Sequence, residues 1–105
     1  MIRDVRWAAS ALDDLNSVVT YIAQDNPFAA LSVVEKIEKS GVALGQFATG
    51  RKGRVHGTYE KPIVGLDYIV AYMIERRLDG SECVMILRVI HGARDWPPEQ
   101  WPKGK

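Results

Sequence analysis

Basic and aromatic side chains gather in the second half of this sequence, where they could bind an anionic partner. They are Arg51, Lys52, Arg54, Arg88, His91, Arg94 and Trp96. Arginine binds phosphate and carboxylate groups through paired N–H donors, so such a set is typical of a surface that recognises a charged macromolecule. Residues 1–47 carry four Lys/Arg and six Asp/Glu, whereas residues 48–105 carry ten and seven. The second half is therefore the part expected to meet an anionic partner.

Three of these residues could instead form a catalytic site that cleaves RNA. Such a site must activate the 2′-hydroxyl, stabilise the phosphate and protonate the leaving oxygen. Arg88, His91 and Arg94, together with Tyr68 or Tyr72, could supply those groups. Side chains alternate along a strand, so Arg88 and His91 are expected on opposite faces, which disfavours their meeting at one phosphate. The catalytic site is thus the alternative to a binding surface.

Each of these residues also has a purely structural interpretation. Arg88 interrupts the apolar run 84–90, and an arginine there either pairs with a carboxylate or meets an anionic ligand. Glu60 and Glu75 are the carboxylates that could pair with it. The basic residues 51–54 could form a solvent-exposed loop, and Trp96 could pack as an anchor for the tail.

Other chemistry finds little support in the sequence. His56 and His91 are the two histidines and Cys83 is the one cysteine, so no zinc-ligand spacing and no internal disulfide are expected. We predict neither a metal nor a cofactor, and Cys83 suits a small buried apolar position. The sequence shows neither a secretion signal nor an apolar run long enough to span a membrane, which predicts a cytoplasmic protein.

Two amphipathic helices are predicted after a short strand at residues 2–7. Apolar steps of three and four residues predict the first helix from Ser10 to Gln24, with Ser10 as its N-cap. Asn26 as cap and Pro27 as first helical residue predict a second helix, antiparallel to the first. The apolar stripes comprise Leu12, Leu15, Val18, Val19 and Ile22 in the first helix, and Ala30, Val33, Val34 and Ile37 in the second.

After the second helix the apolar period changes to that of strands. Strands are predicted at residues 55–59, 63–64, 68–74 and 83–90, with a turn at Asp79-Gly80 between the last two. Strict alternation puts Met85, Leu87 and Val89 on one face and Arg88 on the other, so that if the first set packs on the helices, Arg88 lies on the free face. The order predicts an α+β fold: an N-terminal strand and an antiparallel helical hairpin packed on one face of a small antiparallel sheet. Residues 1–105 are predicted to form one domain, with a proline-containing tail at residues 96–105.

Ordered motifs in this chain resemble those of the RelE/ParE superfamily of toxins, and ParE-like members most closely. Residues 86–97, ILRVIHGARDWP, resemble the family's terminal signature. Residues 26–30 resemble its helix turn, residues 50–58 its loop before the sheet, and residues 67–72 its penultimate strand. The resemblance covers about residues 5–97 and implies the same strand, helical hairpin and sheet.

The resemblance implies the toxin of a type II toxin–antitoxin system and two alternative activities. ParE-like members bind and poison DNA gyrase, whereas RelE-like members cut mRNA on the ribosome. The RelE-like branch commonly has an arginine where this chain has Ile69, and a tyrosine near the position of Gly92, which favours the gyrase inhibitor. A non-toxic binding module is the third hypothesis.

The resemblance also implies partners, and the sequence offers candidate contacts for each. A cognate antitoxin would form a hetero-oligomer with the toxin by folding over apolar residues of the helices. The candidates for this contact are Leu12, Leu15, Val19, Val34 and Ile37. Candidates for contact with the gyrase target are Arg51, Arg54, Arg88, Arg94 and Trp96. No membrane partner is expected.

Overall fold

Two helices pack on a five-stranded sheet in the computed structural model, which describes residues 2–92. The elements are β1 (Asp4–Trp7), α1 (Ala9–Ala23), α2 (Pro27–Ala43), β2 (Arg51–Lys52), β3 (Tyr59–Pro62), β4 (Tyr68–Arg76) and β5 (Glu82–His91). The strands lie in the order β1-β5-β4-β3-β2. The α+β fold, the helical hairpin and the N-terminal edge strand are confirmed. The predicted contacts Arg94 and Trp96, and the tail at residues 96–105, lie outside the described residues.

The sheet is mixed, which differs from the antiparallel sheet that the sequence predicts. Strands β2 to β5 pair antiparallel, but β1 runs parallel to β5, with Asp4 opposite Cys83 and Trp7 opposite Ile86. These two strands are joined by all the intervening elements, so no tight turn constrains their relative direction. β1 thereby joins the start of the described chain to its end.

The turn chemistry explains where the predicted strand limits differ from the observed ones. The predicted strand at residues 55–59 is a turn over most of its length, closed by a hydrogen bond from the Thr58 amide to the Val55 carbonyl. Gly57 has φ 83°, a left-handed conformation that glycine adopts readily. By contrast, the predicted Asp79-Gly80 turn is confirmed, and Gly80 has φ 88°.

The helix starts differ in how well the sequence predicts them. Asn26 caps α2 as predicted, because its side chain accepts a hydrogen bond of 3.1 Å from the Ala29 amide and Pro27 is the first helical residue. The prediction that Ser10 caps α1 is wrong. Ala8 occupies the cap position and Ser10 lies inside the helix.

The main core lies between the helices and one face of the sheet. Its buried members are Ala11, Val18, Ile37, Leu44, Ile63, Val70, Tyr72, Val84, Ile86 and Val89. The helix α2 approaches the sheet closely at Gly41, where an added Cβ would lie 2.5 Å from the Trp7 ring. A second cluster, Ile69, Ala71 and Ile90 with Val55 packed against it, is separate from this core.

A bulge in β5 changes which side chains face the helices. Ala71 pairs with Arg88 but Tyr72 pairs with Ile86, so Leu87 is an extra residue between two paired ones. Because of this extra residue, Val84 and Ile86 lie in the helix-facing core together with Val89. The condition that Met85 and Leu87 pack on the helices with Val89 is therefore not met.

Candidate functional site

Arg88 is held by a carboxylate of the first helix. Its Nε donates to Asp14 Oδ2 at 2.7 Å and its Nη2 donates to Asp14 Oδ1 at 2.9 Å. Both side chains are largely buried, which makes this a two-pronged pair shielded from water. The predicted alternatives Glu60 and Glu75 are not the carboxylates that bind Arg88 here. The pair fastens α1 to the end of β5.

Side chains of α1 take over the hydrogen bonding of β5 beyond the end of β1. β1 ends at Trp7, and beyond that point β5 would lack a neighbour on this side. Asp14 Oδ2 accepts the Val89 amide at 2.9 Å, and Ser10 Oγ donates to the Leu87 carbonyl at 2.7 Å. Since residues four apart share one face of a helix, the two side chains replace the missing strand. This explains why Ser10 serves the sheet rather than the helix end.

His91 lies on the other side of the sheet from Arg88. It is opposite Tyr68, and the two rings meet edge to face with centroids 5.4 Å apart. Tyr68 packs against the main core on the helix side, whereas Arg88 is opposite Ala71 of the second cluster. The sheet therefore separates two members of the alternative catalytic set, as alternation predicted.

Tyr72, the other tyrosine considered for RNA chemistry, is buried in the core. Its hydroxyl donates to the Thr49 carbonyl at 2.7 Å, and its ring stacks on Tyr59 with centroids 5.5 Å apart. Burial raises the pKa of the Tyr72 phenol above its usual value, and the neighbouring Tyr59 raises it further. Tyr72 thus acts as a structural anchor for the chain before β2.

The basic segment before the sheet is fastened by a buried glutamate. Glu60 is 3% exposed and accepts three hydrogen bonds from Arg54: from its amide at 2.9 Å, its Nε at 2.8 Å and its Nη2 at 3.2 Å. Arg51 adds a longer contact of 3.5 Å. Burial alone would raise the pKa of Glu60, but the hydrogen bonds and charges of the two arginines outweigh it and lower that pKa. The Arg54 side chain is 25% exposed, while Arg51 and Lys52 face solvent.

The apolar residues expected to contact an antitoxin differ in their accessibility. Leu12 is exposed, Val19 and Val34 are half-buried, and Leu15 packs partly against the core. Ile37 is 0% exposed, so its expected role is corrected from surface contact to core packing.

Sequence reasoning missed four large apolar side chains on the outer faces of the helices. They are Tyr21, Phe28, Leu31 and Val42, all exposed. Their positions fall outside the buried stripes. The sequence could have revealed them, because each is an aromatic or aliphatic side chain on the polar face of an amphipathic helix.

Within residues 2–92, no three His, Cys, Asp or Glu side chains come together in a group that could hold a metal ion. The helices in that range are too short and too polar to span a bilayer.

Comparison with known proteins identifies the family. The family model described as "ParE toxin of type II toxin-antitoxin system, parDE" matches residues 5–96. This chain belongs to the ParE toxin family. The resemblance predicted from the ordered motifs is confirmed, and an antitoxin is the partner that such a ParE-family toxin implies.

One relative supports the family assignment, and one solved structure shows the fold. This ParE-family toxin is 36% identical over 94 residues to Y4kP of Sinorhizobium fredii, which carries a provisional toxin name, covering 89% of this chain and 92% of that protein. A solved structure of a chromosomal ParDE TA system from P. aeruginosa matches with a TM-score of 0.74 at 21% identity. That match covers 86% of this chain and 96% of that one, and it shows the shared fold.

Proposed function

We propose that this ParE-family toxin arrests growth by binding DNA gyrase, and that it does so without cleaving RNA. The proposal that it does not cleave RNA is based on the positions of Arg88 and His91. Asp14 binds the Arg88 guanidinium in a two-pronged pair, while His91 packs against Tyr68 on the opposite side of the sheet. General acid–base chemistry requires its groups to converge on one phosphate, and these two do not converge.

The target contact that this proposal assigns is the exposed basic edge of the sheet. Arg51 and Lys52 form β2, at the end of the sheet, and both face solvent. Arg54 holds the segment in place through Glu60, and Arg88 positions the end of β5 through Asp14. Arg94 and Trp96 remain predicted contacts that follow the end of β5 in sequence.

The antitoxin contact assigned by the proposal is the helical hairpin. Leu12 is exposed on α1, and Val19 and Val34 retain accessible surface beside it. An antitoxin segment that orders on binding gains affinity by covering such apolar side chains. Leu15 would contribute through its accessible part.

A paired assay tests the proposal with the purified full-length toxin. Gyrase supercoiling of a plasmid is measured with increasing toxin, and transcript integrity is measured in a translating extract at the same concentrations. We expect supercoiling to be inhibited while the transcripts stay intact. The variant Arg51→Gln should inhibit supercoiling less than the wild type, and Lys36→Gln, which removes a positive charge from α2, is the matched control.

Two results would overturn the proposal. Cleaved transcripts that become intact with His91→Ala would establish the RelE-like mRNA endonuclease. Unchanged gyrase activity at saturating toxin, with no growth arrest when the toxin is expressed alone, would instead indicate a non-toxic binding module.

A further inference from the structure

An exposed stripe of mixed character runs along the outer face of α2. Phe28, Leu31 and Val42 are 84%, 64% and 66% exposed, and Glu35 and Lys39 lie between them on the same face. These five residues follow one another at steps of three and four, so they form one line of neighbours on the helix surface. We call them the outer α2 stripe. Exposed apolar side chains that lie next to one another on a soluble protein mark a candidate contact surface.

The order of residues in the outer α2 stripe is self-complementary. Apolar side chains stand at both ends, and one negative and one positive side chain stand between them. Two such helices placed antiparallel, with a twofold axis level with residue 37, bring Glu35 of each copy to Lys39 of the other. An arrangement centred on Glu35, or a parallel one, would bring like charges together, and charge therefore selects the first arrangement.

A hollow beside the stripe fits the same arrangement. It has a volume of about 370 Å³ and is lined by Glu35, Glu38, Lys39, Val42 and Ala43. In the antiparallel arrangement Leu31 lies six residues before the axis, which is the level of Ala43 in the other copy. Leu31 of each copy can therefore enter the hollow of the other, and Phe28 extends the contact toward Val42.

We propose that the outer α2 stripe is the contact between two copies of this toxin. The contact is isologous, since the same residues contribute from both sides, and it closes at two copies. One helix pair covers less area than a standard stable interface, so a weak dimer is expected. The inference does not depend on the choice of gyrase as target.

A charge-exchange cycle on the full-length toxin tests this contact by sedimentation equilibrium. Glu35→Lys and Lys39→Glu each place like charges at two symmetric contacts, so each should raise the dimer dissociation constant about tenfold. The double variant Glu35→Lys/Lys39→Glu restores opposite charges and should return the dissociation constant to near the wild-type value. Lys36→Glu reverses a charge on the same helix outside the stripe and should have little effect.

The apolar part of the contact has its own variant. Leu31→Glu should abolish the dimer, whereas Leu78→Glu, at an exposed position in the turn between β4 and β5, should leave it intact. Circular dichroism of every variant confirms that the fold is retained. A toxin that stays monomeric at all concentrations overturns the proposal, as does a dimer that both single charge reversals leave unchanged. Weaker antitoxin binding by Leu31→Glu, with a monomeric wild type, would assign the stripe to the antitoxin instead.

Discussion

At the scale of single residues, two ion pairs fasten the sheet: Arg88–Asp14 binds β5 to α1, and Arg54–Glu60 binds the segment after β2 to β3. The sequence marked Arg88 as an arginine that needs a carboxylate or a ligand, and that requirement is met. It could not identify Asp14 as the partner, because the pairing depends on how α1 crosses the end of β5 after the bulge at Leu87. An acidic residue near the start of a helix also has a local explanation in the helix dipole, and this hides such a long-range contact.

The variant Asp14→Asn should destabilise the fold by about 2 kcal/mol, because it leaves the largely buried guanidinium of Arg88 without its counter-charge. Urea unfolding at neutral pH measures this loss as a lower midpoint. Asp13→Asn is the matched control, since Asp13 is exposed on the same helix turn. Equal midpoints for the two variants would contradict a structural role for the Asp14–Arg88 pair.

Glu60 should give the fold a dependence on acidic pH. Its pKa is lowered in the folded state, so its contribution to stability is complete above the unfolded pKa, near 4.3, and is lost as the pH falls through the lower folded pKa. Glu60→Gln should therefore cost about 1–3 kcal/mol at pH 7, and the difference from wild type should shrink below about pH 4.

Urea unfolding of both proteins at several pH values checks this expectation. Glu38→Gln provides the control, because Glu38 is exposed on α2. If the loss of unfolding free energy in Glu60→Gln stays constant between pH 7 and pH 3, the carboxylate charge of Glu60 contributes nothing to stability.

At the scale of elements, the sequence predicts best where local chemistry decides the outcome. Asn26 and Pro27 have preferences strong enough to fix the start of α2, and the Asp79-Gly80 turn is equally local. The start of α1 was misjudged because Ser10 serves the Leu87 carbonyl, a contact distant in sequence. The face assignment of β5 failed at Val84 and Ile86 because a bulge reverses alternation, and no residue type announces a bulge in an apolar run.

The cap of α2 offers a test at this scale. Asn26→Ala removes the side-chain oxygen that accepts the Ala29 amide, and it should lower stability by about 1 kcal/mol. Thermal unfolding followed by circular dichroism measures the change. Asp25→Ala alters the adjacent exposed residue and should have a smaller effect; if both variants lose the same stability, the cap is not the cause.

At the scale of the whole molecule, the arrangement of helices and sheet was predictable from the order of the patterns. The parallel pairing of β1 with β5 was not, because it joins residues about 80 positions apart in the sequence. The residue types of the candidate site were predictable, but the role of each arginine was less so. Arg54 and Arg88 turned out to be bound to carboxylates of the fold, whereas Arg51 faces outward.

The exposure of Leu12 on α1 leads to a prediction about the complex with the antitoxin. Leu12→Glu should weaken binding to the cognate antitoxin at least tenfold, about 1.4 kcal/mol, because a carboxylate would have to be buried in the apolar contact. Isothermal titration with the purified antitoxin measures the affinity. Leu78→Glu adds the same charge at the far turn and should bind normally. Unaltered affinity of Leu12→Glu would move the antitoxin contact away from α1.

The side-chain bonds of Ser10 and Asp14 have a further consequence for copies of this protein at high concentration. An open strand edge invites another chain to add to the sheet, which is how cross-β polymers begin. Here the Leu87 carbonyl and the Val89 amide are already bonded, so an incoming strand finds no partner there. The opposite edge is two residues long and carries two cations, Arg51 and Lys52, which repel a like-charged edge. A strand of another copy is therefore expected to add poorly at either of these two places.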